Sequence, residues 1–352
     1  MNRIEEIIKE NKPFVAYRKS GESLVNTFCQ ETDEVHYIED FTEKGFVFAP
    51  FDSSNKTIYF PKDNSQFFQF ELTETNSLPK ESIVFDLDEN GKEFHISLVE
   101  KGVSTINQGD FEKVVLSRTV EKQISDQPFQ IFQKLLHNYK HAFVYIWYHP
   151  KVGTWLGATP ETLFKVKETK FTTMSLAGTA LNDGNSDFSW GEKEIVEQKI
   201  VTDFIIQNLK TANLEEEETY LENMQVSKPF TKEAGNVKHI CSLIQGEIKE
   251  KKHLGKIIET LHPTPAVCGM PKEISKQFIL KEENYDRKFY TGFLGELNLN
   301  ENTDLYVNLR CMEIDNNIAK IYVGGGITDG SVPELEWKET VNKSRTMLKV
   351  VL

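Results

Sequence analysis

The 352-residue sequence predicts an α+β fold of large antiparallel sheets with helices packed outside them. Short β-rich runs gather into meanders, and amphipathic helical segments stand in separate blocks. A doubly wound parallel sheet would instead alternate strand and helix. No Gly/Ser/Pro-rich linker and no abrupt shift of charge interrupts the chain. Residues 1–352 are therefore read as one large domain, with a variable β-rich part over 1–104 and a core over 105–352.

The opening MNRIEEIIKENK sets apolar residues at helical spacing among charges, and lacks the apolar stretch and small-residue cleavage site of a signal peptide. Strand-like runs follow at 14–17, 45–51, 57–60 and 67–72. Asp52-Ser-Ser-Asn55 and Lys62-Asp-Asn-Ser65 suit antiparallel turns between them. Residues 93–107 carry Phe94, Ile96, Leu98, Val99, Val103 and Ile106 at mostly helical spacing and lead into a strand at 113–120. A helix at 129–139 precedes a meander at 142–148, 155–158, 163–166 and 171–176. Helical blocks come next, at 192–209, 254–261 and 274–280. A second meander runs through 292–297, 305–313 and 318–323. The last helix starts after Ser331, where Glu334 three residues on completes a capping-box pattern and Pro333 sits in the first turn.

With 41 Lys plus Arg against 54 Asp plus Glu, the net charge is −13. Nucleic-acid backbones and anionic membrane surfaces want clustered positive charge, so neither is expected as the main partner. A 39% hydrophobic, 11% aromatic chain can bury a sizeable core. No apolar run approaches the roughly 20 residues of a membrane span, so the expected address is the cytoplasm. Cys29, Cys241, Cys268 and Cys311 form no C-x-x-C pair and read as reduced packing residues.

Two helices share a feature. Glu194 and Glu197 are three apart, as are Glu336 and Glu339. Residues at i and i+3 share a helical face, so facing helices could converge four carboxylates on one hard cation, with Mg²⁺ the natural guest. A solvated face would explain either helix alone. Gly324-Gly-Gly326 follows a strand, where glycines either let backbone N–H groups approach an anion or serve a turn needing positive φ. Arg310 ends a strand-like run and Lys343 lies four residues after Glu339. The first could grip a carboxylate bidentately and the second supply a point charge beside it. Lys113 and Glu161 are candidates for general base and general acid, provided their surroundings tune them. His262, followed by two prolines in Leu261-His-Pro-Thr-Pro-Ala-Val-Cys-Gly269, stands on a rigid loop as a substrate contact or a packing residue.

In order along the chain come Phe111-Glu-Lys-Val-Val-Leu-Ser-Arg118, Gly157-Ala-Thr-Pro-Glu161, Leu176-Ala-Gly-Thr179, Glu194-Ile-Val-Glu197, His262-Pro-Thr-Pro-Ala-Val267, Tyr290-Thr-Gly-Phe-Leu-Gly295, Val307-Asn-Leu-Arg310, Gly324-Gly-Gly-Ile327 and Glu336-Trp-Lys-Glu-Thr340 with Lys343. Together these blocks resemble the chorismate-utilising enzymes, which include isochorismate, salicylate, anthranilate and aminodeoxychorismate synthases. The resemblance covers about 105–352 and is most similar to isochorismate synthase. Lys113 stands where ammonia-using members carry glutamine, and His-Pro-Thr-Pro-Ala-Val replaces the Pro-Ala-Gly-Thr type of run.

What the resemblance implies is an Mg²⁺-dependent, reversible exchange of the C4 hydroxyl of chorismate for water added at C2. Lys113 would be the base and Glu161 the acid. Glu197 and Glu339, with Glu194 and Glu336 nearby, would hold the metal. Arg310, Gly324, Gly326 and Lys343 would bind the enolpyruvyl carboxylate. Gly178 and Thr179, in a Leu-Ala-Gly-Thr turn, would lie beside the ring carboxylate, with His262 as a further contact. No glutaminase subunit is expected, and the chain is expected to be a monomer. Salicylate synthesis by further loss of pyruvate is the alternative in the same pocket, and a non-catalytic metal- or ligand-binding scaffold is the alternative from another class. The chain departs from many relatives in reading Gln198 for His after Glu197 and Thr159 for Ser before Pro-Glu.

Overall fold

The computed structural model describes residues 2–71, 89–181, 188–215, 220–234 and 237–352. Helix α1 (Asn2–Lys9) leads to strands β1 (Phe14–Arg18), β2 (Leu24–Gln30), β3 (His36–Tyr37), β4 (Gly45–Ala49), β5 (Ile58–Pro61) and β6 (Ser65–Glu71). Next come α2 (Lys92–Asn107), β7 (Lys113–Gln123), α3 (Pro128–Asn138), β8 (Phe143–His149), β9 (Gly153–Thr159), β10 (Thr162–Lys167) and β11 (Lys170–Leu181). Helix α4 (Glu192–Glu215) precedes β12 (Leu221–Val226), β13 (Phe230–Ala234), β14 (Val237–Ile248), α5 (Leu254–Leu261), β15 (Gly269–Met270) and α6 (Lys272–Glu282). The chain ends with β16 (Phe293–Leu299), β17 (Asn302–Val307), β18 (Cys311–Asp315), β19 (Ile318–Ile327) and α7 (Pro333–Val351).

Among the described residues the strands form two antiparallel sheets. One runs β15-β7-β19-β18-β9-β8-β1-β2-β6, the other β12-β14-β11-β10-β17-β16-β4-β5-β3 with β13 beside β14. Strands of the first hundred residues thus extend the sheets that the rest of the chain begins. Side-chain alternation explains the layering. On β8, Phe143, Tyr145 and Trp147 face an aromatic core that also takes Tyr17, Phe46, Phe48, Phe60, Trp155 and Tyr322. Val144 and Ile146 face the opposite way, onto a cluster shared with α1, α3 and α7. A period of two is what sorts one strand between two cores. The second sheet does likewise, with Val47 and Ala49 turned toward α4 and α5. Each fully buried phenylalanine contributes roughly 1.5–3 kcal/mol. All four cysteines are free and buried.

Several expectations need correction. The expected strand 305–313 is two strands in different sheets, β17 and β18, with the chain crossing at 308–310. The crossing is pinned by buried Asn308, which accepts from Tyr145 Oη at 2.7 Å and donates to the Phe289 carbonyl at 2.9 Å. Arg310 there adopts φ +47. Strands β2, β12, β13 and β14 lie where no strand was expected, because polar residues interrupt their apolar alternation. The capping box at α7 does not form, since its N-cap is Val332. Ser331 Oγ instead accepts from the Thr328 N–H at 3.1 Å and donates to Glu336 at 2.8 Å. Of the strand expected at 67–72, residue 72 lies outside the described residues.

Candidate active site

The site gathers where β7, β19, the 308–310 crossing and the helices α4 and α7 approach one another. Lys113 opens β7, its carbonyl held by Ser275 Oγ at 3.0 Å and its register fixed against Met270. Its ammonium reaches Glu197 Oε1 at 3.3 Å. The glycines 324–326 are neither a turn nor a positive-φ nest. They are strand residues of β19, paired with Ser117, Leu116 and Val115, and their use is their missing side chains. A Cβ at Gly326 would stand 3.0 Å from Lys113 Cε, and one at Gly324 would stand 3.0 Å from Tyr290 Oη. On the other face of the strand, a Cβ at Gly325 would stand 3.4 Å from Glu336 Oε2 and 3.6 Å from Glu339 Oε1.

Glu161 follows Pro160 between β9 and β10, and its backbone is fixed on both sides. Its carbonyl accepts from the Val307 N–H at 3.0 Å, and its N–H donates to Thr159 Oγ1 at 3.3 Å. Thr159 Oγ1 in turn donates to the Val307 carbonyl at 2.6 Å, so the hydroxyl serves here as a serine's would. The carboxyl is buried, and burial pushes its pKa up to about 7 against the opposing pull of Lys232, Lys113 and Arg310. Burial lowers the pKa of Arg310, with Tyr139 and Glu161 acting against that shift. Lys343 donates to the Gly324 carbonyl at 3.0 Å and pairs with Glu339 at 2.6 Å.

Gly178 and Thr179 form a bulge inside β11 instead of the expected turn, marked by a register shift between Ala177 and Ala180 and by φ +67 at Gly178. Bulges re-aim backbone beside sites. A Cβ at Gly178 would meet Glu194 Cβ at 3.1 Å. The side chain of Thr179 lies outside the described residues. Gln198 is buried, its Nε2 lying 2.9 Å from Thr202 Oγ1, 3.0 Å from Ser242 Oγ and 3.1 Å from Ser175 Oγ. It fastens α4 to β11 and β14 and so sets the angle at which Glu194 and Glu197 emerge.

The four acids are not drawn to one point. Glu197 holds Lys113, Glu339 holds Lys343, and Glu336 accepts from Ser331. Among the described residues no group of three His, Cys, Asp or Glu side chains is placed to hold a metal ion. The donors still fit a hard divalent cation in kind. They are all carboxylates, two of them, Glu336 and Glu339, come together over Gly325 within contact distance of where its Cβ would stand, and oxygen ligands suit Mg²⁺.

His262 stands apart from this cluster. It is buried, its Nε2 donates to the Thr291 carbonyl at 3.1 Å, and its ring packs edge-on against Phe293. Burial lowers its pKa to about 4. That is the environment of a packing histidine.

Two groups in the cluster escaped the sequence reading. His239 on β14 donates from Nδ1 to the Gly178 carbonyl at 2.8 Å, and burial holds its pKa to about 4, with Arg310, Lys343 and Lys232 adding to the drop. Lys232 on β13 faces Glu161. Recognising 237–248 as a strand would have exposed both, because β13 pairs with it residue for residue.

The sequence family described as chorismate binding enzyme matches residues 48–352. The chain belongs to that family. Isochorismate synthase DhbC of Bacillus subtilis (strain 168) is 29% identical over 272 residues, 72% of this chain and 66% of that protein. Isochorismate synthase MenF of Escherichia coli (strain K12) is 29% identical over 266 residues, 72% of this chain and 59% of the relative. Anthranilate synthase component 1 of Aquifex aeolicus (strain VF5) is 27% identical over 272 residues, 74% and 53% respectively. The match therefore spans between 53% and 66% of the length of these relatives. Among solved structures, the 2,3-dihydroxybenzoate-specific isochorismate synthase DhbC from Bacillus anthracis aligns with TM-score 0.79 at 23% identity, covering 98% of each chain. Anthranilate synthase component I from Streptococcus pneumoniae TIGR4 aligns with TM-score 0.67 at 19% identity, covering 95% of this chain and 92% of that one. At these identities the likeness is one of fold, and it agrees with the antiparallel α+β architecture. Among the described residues no helix is long and apolar enough to cross a membrane.

Proposed function

We propose that this chain converts chorismate to isochorismate, adding water at C2 and releasing the C4 hydroxyl in a reversible isomerisation. The observation that carries this reading is Glu161, whose burial pushes its pKa up to about 7 and lets it hold a proton near neutrality. A carboxyl in that state can protonate a departing hydroxyl. Lys113, once its ammonium proton has passed to solvent, takes the proton of the attacking water as a neutral amine, with its stem lying against side-chain-free Gly326. Arg310 suits bidentate grip of a carboxylate, and Lys343 adds a point charge beside Gly324. Gly178 and Thr179 flank the ring carboxylate, and neutral His239 orders that bulge through the Gly178 carbonyl.

Glu197 and Glu339, with Glu194 and Glu336, would hold Mg²⁺, which when bound supplies a Lewis acid for the ring carboxylate. Lys113 favours water as nucleophile, since the pattern it resembles carries glutamine there when ammonia is used. The relatives named isochorismate synthase support the same choice. No glutaminase subunit is then required.

The test is incubation of the purified chain with chorismate and Mg²⁺, following isochorismate and pyruvate together. Isochorismate without pyruvate is expected. Stoichiometric pyruvate would assign salicylate synthesis instead, and no consumption of chorismate would leave only a binding scaffold.

A further inference from the structure

We propose that Lys232 is a positioning residue for the acid side of the site, its ammonium fixing the turn that carries Glu161 and matching the charge left when Glu161 gives up its proton. The proposal rests on the reading of Glu161 as the acid. Lys232 lies on β13 directly opposite His239 of β14. Its Nζ is 3.4 Å from the Pro160 carbonyl, the residue before Glu161, and 3.2 Å from Met174 Sδ on β11. The stem is half-buried, so the charge is not dispersed into bulk water. Three cations face Glu161, namely Lys232 from β13, Lys113 from β7 and Arg310 from the crossing, and Lys232 acts on it most strongly.

Each of the others has another task. Lys113 is paired with Glu197 and changes its own protonation in the reaction, and Arg310 is committed to substrate. In the reaction the C4–O bond breaks with its electron pair on oxygen, and the Glu161 proton completes the departing water. A carboxylate remains in a buried place. Lys113 first gives its ammonium proton to solvent; water then forms the C2–O bond and yields a proton to the neutral Lys113 amine, while solvent returns a proton to Glu161. Of the three, Lys232 is the one that neither exchanges a proton in the reaction nor is committed to substrate, and it lowers the cost of the buried carboxylate.

The experiment compares Lys232→Met, Lys232→Gln and Lys232→Arg in the full chain. The pH dependence of kcat and KM for chorismate is measured with Mg²⁺. Glu161 is titrated by carboxyl-carbon NMR of ¹³C-glutamate-labelled protein, assigned with Glu161→Gln. In the methionine and glutamine variants the Glu161 titration and the descending limb of kcat should both move up by about one pH unit. Their kcat should fall by about tenfold with KM little changed, and arginine should restore both. An unmoved Glu161 titration, whether or not kcat falls, overturns the proposal. If Lys232→Met does not fold, the glutamine variant, which keeps a donor for Pro160, carries the same comparison. Wild-type protein that leaves chorismate untouched would sink the functional reading, whereas the NMR titration still decides whether Lys232 governs Glu161.

Discussion

Glu161 is stabilised by its fold in one protonation state and needed by the chemistry in two. To donate, it must be protonated, so the rate of isochorismate formation falls as pH rises through about 7. The reverse reaction starts from the state with Glu161 as carboxylate and Lys113 protonated, which holds the same number of protons, so at low substrate it should follow the same pH profile, and initial rates in both directions between pH 5.5 and 9 check this. Stability carries the same sign as the forward reaction. A folded pKa raised from the ordinary 4.5 to about 7 means stability is fully present below 4.5 and lost as pH climbs through 7. Glu161→Gln should therefore abolish turnover, by about 10²–10⁴-fold. At pH 8 it should unfold later than wild type, by up to about 3 kcal/mol in denaturant titration. His95 gives the opposite slope. Among the described residues neither of its ring nitrogens meets a hydrogen-bond partner, and burial, with Arg118 adding, lowers its pKa to about 4. Stability is then lost as pH falls from 6.5 toward 4, and His95→Phe should raise the thermal midpoint more at pH 5 than at pH 8. Lys113 and Glu161 were legible as parts of short motifs. Lys232 and His239 were not, because what marks them is a cross-strand pairing that only the folded sheet creates.

At the scale of elements, β19 and α7 form the working unit. Helix α7 is fixed by Arg118, which donates to Thr340 Oγ1 at 2.7 Å and stacks on Trp337 at 3.9 Å, so Glu336, Glu339 and Lys343 are held at a set height over the glycine strand. Gly326→Ala would press a methyl onto Lys113 Cε. It should cost kcat by about tenfold or more with an unchanged circular-dichroism spectrum and thermal midpoint. Gly292→Ala is different in kind, since its Cβ would fall 1.9 Å from the Ala49 carbonyl oxygen. Because backbone cannot step aside, it should destabilise by about 4 kcal/mol or more, seen as loss of soluble folded protein. Helix boundaries and most strands could be read from periodicity. The break at 308–310 could not, because Leu305, Val307, Leu309 and Cys311 continue one alternation through a point where the chain changes sheets. The glycine triplet was visible, yet its role as a surface against which neighbouring carboxylates and Lys113 lie depends on partners distant in sequence.

Across the whole molecule, two antiparallel sheets share an aromatic core, and helices cover their outer faces. The N-terminal strands complete these sheets, as β1 beside β8 and β4 beside β16, and the family match begins at residue 48. Removing the first hundred residues should therefore leave the remainder unfolded, a result measurable by proteolysis and circular dichroism. The acids of α4 and α7 stand on helices anchored to different sheets, so a metal bound between them would tie the halves together. Glu197→Gln and Glu339→Gln should each remove Mg²⁺-dependent activity without unfolding the chain, and retained turnover in EDTA would contradict the metal assignment. The most direct measurement is product analysis of the purified chain given chorismate and Mg²⁺ at pH 7. The account predicts isochorismate approaching an equilibrium mixture with chorismate, without pyruvate, and none from Lys113→Ala or Glu161→Gln. Unchanged chorismate, or equal turnover in those variants, would contradict it.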